Sequence, residues 1–266
     1  MHYESGSEGA VKIVSWNVNS LKVRAELVGL YLDEVAPDVI CLQELKLATD
    51  AVPTELFTER GYQVAVHGQK QWNGVLIASK SPLTDVQLGH PPAEDGQSRF
   101  IAATTAGLRI VNLYCPQGQR VDSPKFPYKL AFFDALIAWI QGTHHPGDDL
   151  IITGDINIAP AARDIFDPDG YAGVPSFHPD EHARLKQLLD WGLTDELEAY
   201  LAPNTYTFWD YRGGNFRFNK GMRIDHFLVT ESVHARVTDG WMDRPWRKKR
   251  GDLKASDHAP VGIALS

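Results

Sequence analysis

The chain has 266 residues, 43% of them hydrophobic, and its 26 Lys and Arg against 34 Asp and Glu give a formal net charge of −8. This length and apolar content suffice for one large domain with a buried core. The net charge excludes a generally basic protein that coats nucleic acid, because such coating requires many Lys and Arg side chains to neutralise phosphates. A local basic patch stays compatible with it, since residues 211–254 carry eleven Lys and Arg against five Asp and Glu.

Three features of the sequence indicate the cellular compartment of the protein: the N-terminus, the cysteines and the lengths of the apolar runs. Residues 1–10 are polar, contain Gly and Ser, and lack the basic and apolar regions of a signal peptide, which predicts a short disordered tail. Cys41 and Cys115 lie in apolar runs and are predicted to be buried free thiols. No apolar run approaches the ~20 residues that span a bilayer. We therefore expect a soluble cytoplasmic protein that is not secreted, has no membrane partner and is a monomer.

In the first half of the chain, short apolar strands surround one clear helix. Apolar residues recur at helical spacing from Leu21 to Val35, which predicts a helix there. A second, short helix is predicted around Leu56. Strands are predicted at Val11–Trp16, Asp38–Leu42, Tyr62–Val66, Gly74–Ser79, Leu83–Leu88, Arg99–Thr105 and Leu108–Cys115.

The second half of the chain alternates strands and helices again. Helices are predicted at Lys125–Gln141, Asp180–Trp191 and Thr194–Tyr200. The strands of the whole chain are too numerous, and too often linked as hairpins, for a purely parallel sheet. Residues 11–266 are therefore predicted to form a single α/β domain with two packed mixed β-sheets flanked by helices. The strands of this half are predicted at Leu150–Gly154, Thr205–Asp210, Met222–Thr230, Val237–Met242 and His258–Leu265.

Several of the apolar strands end in acidic or amide residues. Taken singly, each of these residues has an ordinary structural interpretation. Asp155 follows a glycine and is typical of a turn, Glu44 is compatible with a solvated strand end, and Asp257 with a turn. Asp225 is an acid within an otherwise apolar run, where Arg223 is a candidate ion-pair partner.

Taken together, these residues predict a metal-dependent site. Four carboxylates at one rim would repel each other unless a cation lay among them, and oxygen ligands suit Mg²⁺ or Mn²⁺ rather than zinc. Mg²⁺ is usually held by one or two carboxylates plus water and phosphate, which leaves the other acids for proton transfer. If the strands pack side by side, the rim contains Asn17, Glu44, Asp155, Asn157, Asp225, Asp257 and His258.

Six segments in chain order resemble the exonuclease III family, the DNA-repair members of the endonuclease/exonuclease/phosphatase superfamily. The resemblance runs from about Val11 to the C-terminus and implies a four-layered α/β sandwich. It also implies Mg²⁺-dependent phosphodiester hydrolysis 5′ to abasic sites, with 3′-phosphodiesterase and 3′→5′ exonuclease activity on duplex DNA. The segments are SWNVNS (15–20), LQELK (42–46), LYCPQG (113–118), GDINIAP (154–160), GMRID (221–225) and SDHAPV (256–261).

The resemblance implies a metal site and an acid beside it. Glu44 matches the family's main metal ligand, Asn17 its neighbouring amide, and Asp257 an outer acid near the metal. Asp155 matches the aspartate that activates water or protonates the leaving oxygen. Asn157 matches the amide that orients phosphate or water, and Asp155 and Asn157 are also the candidates for a second metal position.

The resemblance further implies three residues that act on the phosphate. Tyr114 matches the tyrosine that touches the scissile phosphate, and Asp225 and His258 match a carboxylate–imidazole pair. Asp225 would orient the His258 ring and favour its protonated form, which would hold phosphate. A neutral His258 that activates water as a base is the other interpretation, and the sequence leaves both open.

The resemblance also suggests which residues bind DNA. Phe208, Met222 and Ile224 match segments that line a pocket for an extruded, base-free deoxyribose, which costs less to flip than a paired nucleotide. Met222 stands where some relatives carry Trp, which leaves the strictness of abasic selection open. Trp209 is interpreted as a core residue, and His226 stands where an aromatic or aliphatic residue is usual.

Basic residues supply further candidates for DNA contact. Arg120 is expected to contact the DNA backbone. The run Trp246–Arg250 has two interpretations of equal weight, a DNA contact or a solvated loop, with a nuclear-localisation signal behind both. The partner expected from all these features is double-stranded DNA with abasic sites or with blocked or recessed 3′ ends, used at a bacterial nucleoid.

Two other functional classes are weighed against a repair nuclease. One is a phosphohydrolase of the same superfamily that acts on lipid headgroups, but the sequence has no apparent lipid-directed apolar loop. The other is a catalytically silent nucleic-acid-binding protein, in which loss of the acids is expected. Here Glu44, Asp155, Asp225 and Asp257 are all present.

Overall fold

The computed structural model describes residues 10–89 and 96–266, so the predicted tail lies outside the described residues except for Ala10. Runs of five to seven residues that are buried at nearly every position form most of the strands in these ranges. The strands are β1 (Val11–Asn17), β2 (Val39–Gln43), β3 (Gln63–His67), β4 (Val75–Ser79), β5 (Thr84–Leu88), β6 (Phe100–Thr105), β7 (Leu108–Tyr114), β8 (Leu150–Asp155), β9 (Leu193–Asp195), β10 (Asp225–Thr230), β11 (Val237–Met242) and β12 (Val261–Leu265).

The helices lie between these strands, and each long helix covers one face of a sheet. Among the described residues, no helix combines the length and apolar character that crossing a bilayer requires. The helices are α1 (Leu21–Val35), α2 (Glu55–Thr58), α3 (Lys125–Thr143), α4 (Pro179–Trp191), α5 (Glu196–Tyr200) and α6 (Glu231–His234).

Two six-stranded mixed sheets form the centre of the described part of the chain. The strand order of the first sheet is β11-β12-β1-β2-β4-β3, and that of the second is β5-β6-β7-β8-β10-β9. In the first sheet β1 runs parallel to β2, and in the second β7 runs parallel to β8. These two parallel pairs therefore direct the carboxyl ends of four central strands toward the site described below.

Side chains alternate between the two faces of each strand, and this alternation creates the layers. Ile13 of the first sheet and Ile151 of the second pack in the core between the sheets. Their neighbours face outward: Val14 packs with α1, and Ile152 packs with α3 and α4. The arrangement is helix, sheet, sheet, helix, which confirms the predicted four-layered α/β sandwich.

A buried polar contact joins the two sheets. Gln43 of the first sheet donates from Nε2 to Oδ1 of Asn112 in the second, at 2.7 Å. Asn112 in turn donates to the carbonyls of Leu42 and Leu76 at 2.9 and 2.8 Å. Gln43 and Asn112 are completely buried. Buried polar groups need hydrogen-bond partners, and a shift of one sheet relative to the other would remove these. The contact therefore favours the observed packing of the two sheets.

Two predicted strands near residue 210 differ from the structure. The strand predicted at Thr205–Asp210 is wrong, because Phe208 forms only isolated bridges, one to Met222 and one to His258, and so links two segments rather than joining a ladder. The strand predicted from Met222 begins three residues later, at Asp225. The amide of Arg223 donates to the carbonyl of Asp164, at the end of a short 3₁₀ helix (Ala162–Asp164), instead of to a strand.

Two further boundaries differ from their prediction. Thr194 belongs to β9, which pairs with β10, and helix α5 begins only at Glu196. The last strand begins at Val261 rather than His258, because His258 forms only an isolated bridge to Phe208 and Pro260 has no N–H for a ladder.

Both cysteines are buried free thiols, as predicted. Burial raises the pKa of the Cys41 thiol, and burial with the nearby Asp155 charge raises that of Cys115. Both thiols are therefore protonated at neutral pH and poorly suited to nucleophilic chemistry.

Candidate active site

The ends of strands from both sheets meet at one edge of the sandwich. Asn17 ends β1, Tyr114 ends β7 and Asp155 ends β8, while Asp225 begins the antiparallel β10. In the second sheet Asp155 pairs in register with both Tyr114 and Asp225. The fold therefore brings together residues that are up to 208 positions apart in the chain.

A cavity of about 460 Å³ opens at this edge. Asn17 and Asp225 lie directly beneath it, completely buried. Arg120 lies outside it, with an exposed side chain that pairs with Asp122 at 3.0 Å. The candidate residues that line the cavity are Glu44, Tyr114, Asp155, Asn157, Phe208, Met222, Ile224, Asp257 and His258.

Asn17 connects the two sheets at the floor of the cavity. Its Nδ2 donates to Oε1 of Glu44 and to Oδ2 of Asp155, each at 2.9 Å. Its Oδ1 accepts from the amide of Asn19 at 2.9 Å, which fixes the orientation of the side-chain amide. Asn17 therefore sets the separation of two carboxylates that arrive from different sheets.

Asp155 is the acid of the site whose pKa is shifted furthest from its usual value. Burial raises its pKa to about 7, an effect reinforced by the nearby charges of Asp225 and Glu44 and opposed by His258 and by the Asn17 hydrogen bond. A carboxyl group with a pKa near neutrality exchanges protons readily at physiological pH. Asp155 can therefore act as either proton acceptor or proton donor.

His258 forms a closely packed pair with Asp225. Its Nδ1 lies 2.9 Å from Oδ2 and 3.1 Å from Oδ1 of Asp225. Its Nε2 lies 3.7 Å from Oδ2 of Asp155, and both residues line the cavity. Burial alone would lower the His258 pKa, but the charges of Asp225 and Asp155 outweigh it and raise the pKa to about 10. The ring is therefore protonated at neutral pH in this arrangement.

Tyr114 and Asn157 present hydrogen-bonding groups to the same cavity. Burial and the charges of Glu44 and Asp155 raise the Tyr114 pKa well above its usual value, so its hydroxyl keeps its proton. The Arg99 guanidinium lies 4.8 Å from the centre of the Tyr114 ring. Asn157 is held by its Nδ2, which donates to the Cys115 carbonyl at 3.0 Å.

Several residues of the site adopt backbone conformations that side chains usually avoid. Glu44 and Asn157 have φ of 54° and 57°, in the left-handed region, and Asn19 and Lys46 also have positive φ. Such conformations cost free energy and persist where the surrounding structure enforces them, often at functional sites. Here these backbone conformations accompany the placement of the Glu44 and Asn157 side chains at one cavity.

The carboxylates of the site fit a divalent cation. Burial opposes ionisation of Glu44, but Lys46, Asn17 and His258 outweigh it and hold the Glu44 pKa below its usual value. In the described ranges no three His, Cys, Asp or Glu side chains have the spacing of a metal site. Glu44 and Asp257 both line the cavity and offer carboxylate oxygens, which suit Mg²⁺ held by one or two carboxylates with water and phosphate as its other ligands.

Two residues that the sequence analysis did not single out complete this acidic cluster. Lys46 forms an ion pair with Oε2 of Glu44 at 2.9 Å and donates to Oδ1 of Asn19 at 2.5 Å. Asn19 donates from Nδ2 to Oδ1 of Asp257 at 3.0 Å. Asn19 lies in the segment SWNVNS and Lys46 in the segment LQELK. Their closeness in sequence to Asn17 and Glu44 was the signal that could have identified them as part of the site.

The basic run near the C-terminus divides into structural and exposed residues. Trp246 and Arg247 are buried, and Arg247 donates to the carbonyls of Asp257 and Trp209 at 3.0 and 2.9 Å. Lys248 and Lys249 are exposed. Part of the run therefore stabilises the segment that carries Asp257. Neither a DNA contact nor a solvated loop, the two roles considered from the sequence, includes this structural role.

Apolar side chains form another part of the cavity wall, next to the acidic residues. Met222 and Ile224 belong to a buried cluster with Ile165, against which Phe208 packs. The Phe208 ring lies 4.9 Å from the His258 ring, centre to centre. Trp209 is completely buried in a neighbouring cluster, as its interpretation as a core residue predicted.

A buried charged cluster lies behind this wall. Arg223 donates from Nε to Oδ1 of Asp164 at 2.7 Å and from Nη1 to Oδ2 of Asp195 at 2.6 Å. The suggested pairing of Arg223 with Asp225 is therefore wrong, since Asp225 pairs with His258. His226 is completely buried beside the same ion pair.

The comparisons with known proteins agree with this geometry. The sequence model of the Endonuclease/Exonuclease/phosphatase family matches residues 14–258. The chain is 36% identical to exodeoxyribonuclease III of Haemophilus influenzae over 265 aligned residues, which cover 94% of this chain and 98% of that protein.

Two solved structures are similar over nearly their whole length. A variant of the 3′ phosphatase NExo from Neisseria, bound to a product DNA hairpin, has a TM-score of 0.91 and 39% identity, and the match covers 96% of this chain and 99% of that one. An AP endonuclease from Archaeoglobus fulgidus has a TM-score of 0.90 and 34% identity, with the same coverage. The chain therefore belongs to the endonuclease/exonuclease/phosphatase family, as a nuclease of its exonuclease III branch.

Proposed function

We propose that this protein is a Mg²⁺-dependent DNA-repair nuclease that hydrolyses the phosphodiester 5′ to abasic sites. The same centre would remove 3′-blocking groups and trim 3′ ends of duplex DNA. One observation carries the proposal: a single cavity is lined both by acids with an imidazole and by a small apolar cluster. We assign residues 11–266 to one catalytic domain that acts as a monomer in the cytoplasm.

The acidic side of the cavity suits hydrolysis of a phosphodiester. Negative charge accumulates on the phosphate oxygens in the transition state, so catalysis needs cations and donors fixed around phosphorus. Protonated His258, the Tyr114 hydroxyl and the Asn157 side chain are such donors. Asp155, with a pKa of about 7, is placed to take a proton from water or to return one to the leaving oxygen.

Glu44 and Asp257 are the residues that would hold Mg²⁺, with Mn²⁺ as a substitute of similar ligand preference. When bound, the ion supplies positive charge next to the phosphate. Asn17 serves this site indirectly, because its Nδ2 faces the carboxylates and its Oδ1 is engaged by Asn19. Asp155 and Asn157 stay candidates for a second metal position.

The apolar side of the cavity suits a deoxyribose that has lost its base. Phe208, Met222 and Ile224 offer a surface without hydrogen-bonding side chains, which a sugar can contact and which gives no partner to a base edge. Extrusion of an abasic nucleotide also costs less, since it has no base pair to break. Selection of abasic sites would thus arise from cavity size and from the cost of flipping.

The charge distribution suits a duplex partner. Arg212 and Lys220 line the cavity from the segment with the local excess of Lys and Arg. A second cavity, of about 450 Å³, shares Tyr114 with the first and adds Arg99 and Lys125 along its wall. Few basic side chains border this path, so DNA binding should show a moderate dependence on salt.

The direct test compares three substrates under three metal conditions. The substrates are a duplex with one tetrahydrofuran abasic analogue, the undamaged duplex with a recessed 3′ end, and a panel of phosphoinositides, each with Mg²⁺, Mn²⁺ or chelator. We expect incision 5′ to the analogue and trimming of the recessed end, both lost in chelator, and the two rates rank the activities. Hydrolysis of phosphoinositides without any cleavage of DNA would instead identify a lipid phosphohydrolase.

Replacing Phe208 with alanine should weaken selection of the abasic site. The ring forms part of the apolar wall and packs on His258. We expect kcat/KM on the abasic duplex to fall about tenfold more than kcat/KM on the recessed 3′ end, because a lost apolar contact changes discrimination by that order. Phe218→Ala is the matched control, since Phe218 is 62% exposed and does not line the cavity. Equal losses on both substrates would contradict the assignment.

A further inference from the structure

Three consecutive carbonyl groups behind the cavity each have a side-chain partner on a different element. In the segment Asn157–Ala159, the first carbonyl accepts from Nζ of Lys129 on α3 at 2.7 Å. The second lies 2.9 Å from Nε2 of His226 on β10, and the third 2.9 Å from Nε2 of His182 on α4. Buried carbonyls outside regular structure need such partners, so the segment is held from three sides.

The His226 ring is fixed at both nitrogens. Nε2 faces a carbonyl oxygen, which can only accept, so Nε2 must carry a hydrogen whatever the charge of the ring. Nδ1 lies 3.0 Å from Oδ2 of Asp195 and 3.1 Å from Nη1 of Arg223. The ion pair of Asp195 with Arg223 therefore holds one side of the ring and directs the other at the carbonyl of Ile158.

The residue before this carbonyl is Asn157, whose conformation depends on external support. Its φ of 57° lies in the left-handed region, which an Asn tolerates less readily than a Gly. Its amide donates to Oδ1 of Asp155 at 3.1 Å, so a displacement of Asn157 also displaces the Asp155 carboxylate. The segment lies outside helices and strands, and the other backbone bonds in and beside it run from the amide of Ile156 to the Ile224 carbonyl at 2.9 Å and from the amide of Ala159 to the Ser176 carbonyl at 2.8 Å.

We propose that His226 is a positioning residue, whose bond from Nε2 to the Ile158 carbonyl fixes the Asn157 side chain, and through it Asp155, for phosphate hydrolysis. His226 does not line the cavity, so it is not placed to touch a substrate bound there. The proposal uses the activity assigned above as one readout. It explains why a polar ring stands at a completely buried position.

Two conservative variants separate the two nitrogens of the ring. The amide nitrogen of glutamine reaches about as far along the side chain as Nε2 of histidine, and that of asparagine about as far as Nδ1. His226→Gln therefore keeps a donor to the Ile158 carbonyl, whereas His226→Asn loses it and keeps a polar group beside Asp195. Thr153→Val is the matched control for stability, because it removes a buried bond to the His226 carbonyl, 2.8 Å long, without touching the segment.

For His226→Asn we expect kcat on the abasic duplex to fall about tenfold with KM within about twofold, because misplaced groups cost chemistry rather than binding. His226→Gln and Thr153→Val should stay within about threefold of the wild type in kcat. Hydrogen exchange of the amides of residues 155–159, followed by mass spectrometry, should accelerate in His226→Asn alone. Unfolding midpoints of all variants confirm that each is folded at the assay temperature.

Equal loss of kcat in the Asn and Gln variants, or unchanged exchange of residues 155–159 in His226→Asn, would overturn the positioning role. If His226→Asn does not fold, His226→Gln decides alone: wild-type kcat and exchange support the role, and a tenfold loss of kcat overturns it. Failure of the activity itself is distinguishable, because then the wild type cleaves no abasic duplex, while the exchange measurement still reports on the segment.

Discussion

Replacing Asp155 with asparagine is expected to lower the Mg²⁺-supported cleavage of an abasic duplex by about 10³-fold, while DNA affinity stays within about threefold. Asparagine cannot take or return a proton, and Asp155 is the buried acid whose pKa of about 7 suits that task. Single-turnover cleavage and fluorescence anisotropy with the same duplex measure the two quantities.

The control for Asp155→Asn is Asp190→Asn. Asp190 is an exposed acid on α4 that pairs with Lys186, so this substitution changes the net charge equally, far from the cavity. We expect wild-type cleavage from it. Cleavage by Asp155→Asn at the wild-type rate would show that another group moves the proton, and His258 as a neutral base would then be the leading candidate.

Replacing Arg223 with methionine is expected to lower the free energy of unfolding by about 3–5 kcal/mol, because it leaves two buried carboxylates without their cation. Asp164 and Asp195 are both buried, and one oxygen of each already has no hydrogen-bond partner. Urea titration at pH 7 measures the loss. Arg184→Met, which removes a surface pair with Asp134, should cost far less.

The cost of Arg223→Met should depend on pH. Burial opposes ionisation of Asp195, but the charges of Arg223 and His226 outweigh it and hold its pKa well below the usual value. A depressed pKa stabilises the folded state above the pKa of the unfolded chain, about 3.9, and this stabilisation is lost as the pH falls toward the folded pKa. The difference between wild type and variant should therefore narrow below about pH 4. A constant difference from pH 7 to pH 3 would mean that Asp195 does not carry the effect.

The sequence predicted that the rim residues lie close together, and most of them line one cavity, because the signal was local. Asp155 and Asn157 follow an apolar strand directly, and such residues reach the end of a sheet wherever the strand lies within it. The short apolar run Val11–Trp16 likewise predicted a strand, which the structure contains as β1. The resemblance of six segments to a known family then implied that these strand ends meet at one site. The strand order of the sheets did not have to be predicted for this.

Partners that depend on distant parts of the chain could not be predicted in the same way. Arg223 stands two residues from Asp225, so a local pairing was the simplest expectation. Its actual partners, Asp164 and Asp195, lie 59 and 28 residues away in other elements. Choosing among many acids at such separations requires the packing of β9 and β10, which no local pattern contains.

Phe208 shows a different limit of local patterns. Its apolar neighbourhood has the composition of a strand, and a strand was predicted. Backbone bridging to two separate segments, at Met222 and His258, prevented a regular ladder there. The composition thus indicated burial correctly but not the hydrogen-bonding partners, because strand propensity reflects packing as much as backbone preference.

The pairing of β1 with β12 has a consequence for the synthesis of this enzyme. Val11 pairs with Leu265, and β12 separates β1 from β11 in the first sheet. A nascent chain can therefore complete the second sheet once residue 230 is available, but cannot complete the first until residue 265 has left the ribosome. Asp257 and His258, which line the cavity, lie in the segment just before β12. The cavity is therefore complete only after all the other strands of both sheets have been synthesised.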